Sequence, residues 1–451
     1  MRITSILLGA FLAIGAAACG KVSLPGSSGD GDGGSGDGDG GGSDAAGPGP
    51  VTVTVLSFDG RRTPVDGAQV AFFAASGEHQ ATVDTDDEGR ATSDLAPGGA
   101  VVAFGGDVPT GSASLAVRAV LGVEPGDQIV IGGEPYQGGS LAAEMTITLP
   151  VLTGAASYIV YTPCGTFSSG NNVVPLTFYQ SCDVDSFAYV ALASGDAGPS
   201  FAEEDEAAVI PGGNYDATAT WQMTPTRPFR FTGVPDEALS VEVGVSGVRT
   251  GDQQLDLFLT RDEAPAGEEM LTLRPERIPG YDETLIYGLV RAEQPSLGTF
   301  QFTRWMGADD STDTDLADVM LPWMGPVALD TASRSLRWRI VGAGEYDATY
   351  VTVNANINDG DTFLETTWFV VAPPGIEEIV LPELPAELSE YYLPDPENVY
   401  AYGQIVESSE VEGYAGARQR GFDLSYFPRL EPLGSVTRSS FSGAPGGDTI
   451  R

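Results

Sequence analysis

The sequence predicts an all-β protein, built as tandem β-sandwich modules behind a disordered N-terminal tether. Three observations lead there. Segment after segment alternates apolar and polar residues with a period of two, and Gly, Pro, Asn or Asp cuts each run short. Helical periodicity is scarce. With 451 residues and 42% hydrophobic content, the chain carries enough apolar surface for several packed cores.

The chain starts with Met1 and Arg2, a short positive lead into the apolar run Ser5–Ala18, which is too short to span a membrane comfortably. Small residues end the run and Cys19 follows at once. This arrangement resembles the lipobox of bacterial lipoproteins, with Ala16 where that family usually has Leu. The resemblance implies removal of residues 1–18, a diacylglycerol on the Cys19 thiol and, with Gly20 next, retention at the outer membrane. Two or three acyl chains anchor stably, because each buried methylene contributes about 0.8 kcal/mol. The alternative is an ordinary secretion signal followed by a chance cysteine. Residues 19–50 then read as the lipidated Cys19 plus a Gly/Asp/Ser tether. No apolar group there repays the entropy of ordering, and the stretch from Leu24 to Pro50, as a coil, reaches roughly 29 Å. Its Gly-Asp repeats lack the nonapeptide spacing of a calcium-binding repeat-in-toxin array.

The formal charge of −41 repels nucleic acid and anionic lipid, so neither is an expected partner. Lys21 is the only lysine. An acidic, lysine-poor surface fits either a saline habitat or a basic partner. Apart from Cys19, the cysteines are Cys164 and Cys182, and an even remainder in an exported chain reads as one disulfide. On the chain-entropy account such a loop closure contributes ~3 kcal/mol. A metal site would need partners, and the single histidine, His79, lies in another segment.

Residues 51–149 form the first expected module. The strand "VTVTVLSFDG" leads to Pro64, Val65, Gly67, Ala68 and Val70, and a turn follows at Thr85, Asp86 and Gly89. These residues resemble the immunoglobulin-like, prealbumin-type domains found as carboxypeptidase regulatory-like and invasin-like repeats. The resemblance implies a sandwich, with Asp86 and Gly89 closing a hairpin. Asp84, Asp86 and Glu88 offer an alternative reading as calcium ligands, although an EF-type loop needs a longer ligand set. Residues 150–307 are expected to form a second sandwich, which holds the cysteine pair.

Residues 308–319 make an acidic linker with Asp309, Asp310, Asp313, Asp315 and Asp318. They are candidate calcium ligands, similar to the calcium-stiffened linkers of cadherin-like arrays, or simply a solvated connection. Thr314 stands where an EF-type loop carries Gly. Residues 320–430 resemble a fibronectin type III-like sandwich. Its hairpin turns at Asn358, Asp359 and Gly360, and Trp338, Trp368 and Tyr350 are expected in its core. Residues 431–451 read as a loose tail.

Catalytic motifs are missing from the sequence. Only His79 is available for a Ser-His-Asp or Cys-His arrangement, and Lys21 lies in the tether. No Walker loop or dinucleotide fingerprint occurs. "LDTAS" at Leu329–Ser333 superficially resembles an aspartic-protease loop, but that family needs two. The expectation is therefore a non-catalytic envelope lipoprotein without cofactor, held to the membrane by its lipid. It would bind an envelope protein or a glycan and no small-molecule substrate. The alternative is a carbohydrate-binding or enzyme-accessory protein, using exposed aromatics such as Trp305, Trp323 or Tyr391–Tyr392. A carboxylate glycosidase is the third reading.

Overall fold

The structure, a computed structural model, describes residues 47–57, 63–104, 113–132, 141–179, 185–195, 200–223, 227–236, 238–249, 255–265, 270–273, 283–294, 297–307, 312–358, 363–391, 399–420 and 435–442. Cys19, Asp309, Asp310, Cys182 and Tyr392 lie outside them. The fold is all-β.

The first strands are β1 (Gly49–Val55), β2 (Gln69–Phe73), β3 (His79–Asp84), β4 (Arg90–Leu95), β5 (Gly99–Phe104), β6 (Ala113–Val123) and β7 (Gln128–Ile131). Next come β8 (Leu141–Thr148), β9 (Ala155–Thr162), β10 (Gly165–Ser169), β11 (Val173–Tyr179), β12 (Ser186–Gly195), β13 (Ser200–Ala208), β14 (Asn214–Asp216) and β15 (Gln222–Met223). The third group is β16 (Phe229–Thr232), β17 (Ala238–Arg249), β18 (Leu255–Pro265), β19 (Met270–Leu273), β20 (Glu283–Ala292), β21 (Thr299–Met306) and β22 (Asp313–Asp315). After the short helix α1 (Leu316–Val319) follow β23 (Trp323–Met324), β24 (Ala328–Asp330), β25 (Ser335–Arg337), β26 (Ile340–Val341), β27 (Ala348–Asn358), β28 (Phe363–Ala372) and β29 (Glu378–Val380). The last elements are β30 (Val399–Ser408), helix α2 (Gly413–Arg420) and β31 (Val436–Phe441).

One 12-stranded sheet organises most of these strands, in the order β18-β17-β20-β21-β31-β30-β27-β28-β6-β5-β2-β3. It crosses the boundaries expected from sequence. β28 pairs in parallel with β6, from Leu364 beside Ala113 to Val371 beside Val120, joining segments about 250 residues apart. One face packs on Phe229, Phe231, Leu316, Trp323, Leu336 and Trp338. The other face is covered at one end by the β4-β1-β7 sheet, whose Val51, Val53 and Val55 share a core with Tyr350, Val371 and Ala417.

The second sandwich is shorter than expected and is inserted between β7 and β16. Its sheets are β10-β9-β12-β13-β15 and β11-β8-β14, around a core that includes Phe178, Phe187 and Tyr189. β8 precedes the expected boundary at residue 150 yet belongs here, because it pairs with β11 and β14.

Three further expectations give way to sequence details that charge and polarity had masked. The acidic linker contains β22, paired with β16. Between its outward acids, Thr314 is 4% exposed, and Leu316 just beyond is fully buried. Alternation places the apolar and small groups inward, which is strand behaviour rather than linker behaviour. The tail contains β31, an interior strand between β21 and β30. Its Ser- and Thr-rich sequence reads as loose, but Ser440 is fully buried and its Oγ accepts from the Met324 amide at 3.0 Å. Finally, Asp86 and Gly89 close no hairpin, since β3 and β4 lie in different sheets and the turn arches between them. Gly89 has φ of 74°, and a Cβ there would stand 2.7 Å from the Val55 carbonyl oxygen. Gly89→Ala is therefore expected to destabilise by roughly 1–3 kcal/mol, measured by urea unfolding.

Candidate functional site

Asp86, Glu88, Asp313, Asp315 and Asp330, among the acids that could have carried chemistry, are engaged in local structure. Asp86 Oδ1 accepts the amides of Glu88 at 3.0 Å and Arg90 at 2.8 Å, while Glu88 pairs with the Arg90 guanidinium. Asp315 caps α1 through the Ala317 amide, and Asp313 faces Arg230 at 4.0 Å. Asp330, in the "LDTAS" segment, accepts from the Ala332 amide at 3.0 Å and so makes a turn. The His79 ring lies edge-on to Phe73, and its Nε2 is 2.9 Å from Thr82 Oγ1. Among the described residues, no three His, Cys, Asp or Glu side chains come together as a metal site would need.

The most elaborate acid is Glu204 on β13. It accepts from the Tyr215 hydroxyl at 2.7 Å, the Thr218 amide at 2.6 Å, the Thr218 hydroxyl at 2.8 Å and the Ala219 amide at 2.7 Å. Burial alone would raise its pKa, yet these bonds hold the carboxyl below its ordinary value. The same contact pushes Tyr215 up to about 12. Glu204 thus fastens residues 215–219 to the inserted sandwich. A depressed folded-state pKa contributes stability above the unfolded value and loses it as pH falls through the folded one. Glu204→Gln should cost about 1 kcal/mol near neutral pH, and the difference from wild type should shrink below about pH 4. Urea midpoints measured across pH check both points.

The aromatic residues supply the surface. Trp338 and Trp368 are buried as expected, and Trp305 and Trp323 are buried too, so they form no exposed platform of the kind the alternative reading needed. Trp221 is half-buried and donates to the Pro150 carbonyl at 2.7 Å. Tyr391 ends a 3₁₀ turn, Ala386–Tyr391. Among the described residues, the exposed aromatics are instead Tyr400 and Tyr402 on β30, at 46% and 38%. Alternation explains them: Ala401 between them enters the core, so both tyrosines share the opposite face. A Tyr-Ala-Tyr stretch inside an apolar strand was the signal the sequence offered.

Strand register places further groups on that face in two rows. Tyr402 adjoins Thr352, then Phe369, then Arg118; Tyr400 adjoins Asn354, then Thr367, then Ala116. Thr352, Asn354 and Arg118 are recessed at 7%, 8% and 8% exposure, while Phe369 and Thr367 are half-buried. The result is a shallow trough. Its floor is β27, and its walls are the tyrosines on β30 and Phe369 with Thr367 on β28. With strands about 4.8 Å apart, the walls stand about 10 Å apart, and the two rows lie about 7 Å apart along the strands. Thr367 Oγ1 donates to Asn354 Oδ1 at 2.8 Å, fixing that amide, and the Arg118 guanidinium lies 4.9 Å from the Phe369 ring centre. None of the eight positions is acidic.

A second concavity, of about 550 Å³, lies between the Ala74–Glu78 turn and the Arg334–Glu383 segment. It is lined chiefly by Ala and Gly, and Arg334 pairs across 3.4 Å with Glu383.

No protein-family profile matches the chain. No curated protein matches it either. Among solved structures, the TIE protein of Bacillus anthracis is 12% identical with a TM-score of 0.15, covering 60% of this chain; the chain spans 50% of that protein's length. BcpA, the major pilin subunit of Bacillus cereus, is 8% identical with a TM-score of 0.16, over 60% of this chain and 98% of that one. Two B repeat units of the collagen binding protein of Staphylococcus aureus are 11% identical with a TM-score of 0.13, over 72% and 99%. Likenesses this loose carry no argument about what the chain binds.

Proposed function

We propose that the chain is a lipid-anchored, non-catalytic binding protein of the bacterial cell envelope, which presents the β30 trough to a partner. The observation that carries this reading is the trough itself. It exposes two aromatic rings beside fixed polar groups, whereas Trp305, Trp323, Trp338 and Trp368 are buried. The anchoring part rests on the apolar run that ends at Cys19 and on the lipobox resemblance. Lipidation at Cys19 and residence at the outer membrane complete the proposal.

A disulfide between Cys164 and Cys182 belongs to the same proposal. Cys164 follows β9, and the antiparallel register of β9 with β12, Tyr161 opposite Val190, sets the start of β12 at the end of β9. Cys182 precedes Ser186 by four positions in the sequence.

Protease shaving of intact cells tests the anchoring. Mass spectrometry should find a lipid-bearing Cys19 fragment retained in the membrane, with peptides from residues 51–430 released from intact cells where the chain is on the surface and only after the outer membrane is opened where it faces the periplasm. Cys19→Ser should release the whole protein from the membrane fraction. An unmodified N-terminus with wild-type fractionation would contradict the proposal.

A further inference from the structure

We infer that the trough formed by Tyr400, Tyr402, Thr352, Asn354, Thr367 and Phe369 binds a neutral oligosaccharide. The inference deepens the binding-protein reading and rests on it.

The argument begins with charge. The chain carries −41, yet the trough holds no carboxylate, and its one charged group, Arg118, is recessed over the Phe369 ring. A cationic partner would find no counter-charge within these two rows, the nearest acid in register being Glu365 one row further along β28, and an anionic one would meet the field of the whole protein. A neutral ligand meets neither obstacle.

The chemistry of the lining narrows the ligand further. A purely apolar partner would cover the Asn354 amide N–H groups and the Thr352 hydroxyl, whereas the Thr367 hydroxyl and Asn354 Oδ1 already satisfy each other, and groups so covered lose water without a replacement partner. A polyhydroxyl ligand replaces those hydrogen bonds. Sugar rings also carry apolar C–H faces, and these pack on aromatic rings such as those of Tyr400 and Tyr402. The dimensions agree. A floor about 10 Å across, with rows about 7 Å apart, suits two or three pyranose units side by side. The Asn354 amide is already held by Thr367, so its orientation is set before the ligand arrives, which lowers the cost of binding.

Isothermal titration of the purified chain with maltohexaose, cellohexaose and chitohexaose tests the inference, alongside binding of the labelled chain to intact bacterial cells. At least one oligosaccharide should bind. Tyr400→Ala and Tyr402→Ala should each weaken that binding at least tenfold with unchanged unfolding midpoints, while Tyr402→Phe, which keeps the stacking face, should stay within about threefold of wild type. Oligosaccharide binding that both alanine variants leave intact would overturn the assignment of the trough. Tyrosine-dependent cell binding without any oligosaccharide binding would overturn the glycan inference and leave the binding-protein reading standing, with a protein partner. Absence of both would overturn the two together.

Discussion

Replacing Arg418 with alanine is expected to destabilise the protein by about 2–3 kcal/mol, because it removes a buried guanidinium together with its ion pair to the half-buried Asp127 carboxylate. Arg418 on α2 reaches the first strands of the chain. Its Nη2 pairs with Asp127 Oδ1 at 3.1 Å, with side-chain exposures of 8% and 11%, and its Nη1 donates to the Gly122 carbonyl. The guanidinium also lies 5.0 Å from the ring centre of Tyr414. Tyr414 makes its own hydrogen bond to the Leu121 carbonyl at 2.6 Å, and burial pushes its phenol pKa well up. One helix near the C-terminal end thus clamps the β6–β7 turn. Urea unfolding should show the full loss in Arg418→Ala and a smaller loss in the double variant Arg418→Ala/Asp127→Asn, where the stranded charge is gone. Equal losses in both would mean that the helix is held by packing rather than by the ion pair.

Trp368→Ala is the second large effect, about 3–5 kcal/mol from lost burial and the cavity left behind. Trp368 is 1% exposed and sits between Val353 and Val117 in register, where β27, β28 and β6 meet. Its neighbours Thr367 and Phe369 face the other way, into the trough. The variant should therefore lose stability and ligand binding together, whereas Tyr402→Ala should lose binding alone. Unfolding midpoints and titrations on the same samples separate the two patterns.

Much of the architecture was legible because alternation is a local signal. The β27–β28 hairpin, the strand "VTVTV" of β1 and the burial of Trp338 and Trp368 all follow from period-two patterning. Long-range pairing was not legible. Nothing in Leu364–Val371 or Ala113–Val120 announces that they form a parallel pair, since register between distant strands depends on packing that no local window contains. Polar interior strands were also hidden: β31 reads Val-Thr-Arg-Ser-Ser-Phe, and its burial comes from its neighbours rather than its own hydrophobicity. The trough suffered from both problems. Its tyrosines were visible in sequence, but their companions Asn354, Thr367 and Arg118 join them only through the assembled sheet.

The proposed binding surface depends on the seam between β6 and β28, and hydrogen exchange of the full chain tests that dependence most directly. The amides of residues 113–120, 348–358, 364–371 and 399–408 should be protected to a common level and exchange together, as one cooperative unit. Exchange of residues 113–120 well ahead of the others, while 348–358 and 399–408 stay protected, would contradict the account. It would mean that the first strands form a separate body and that the trough ends at β28.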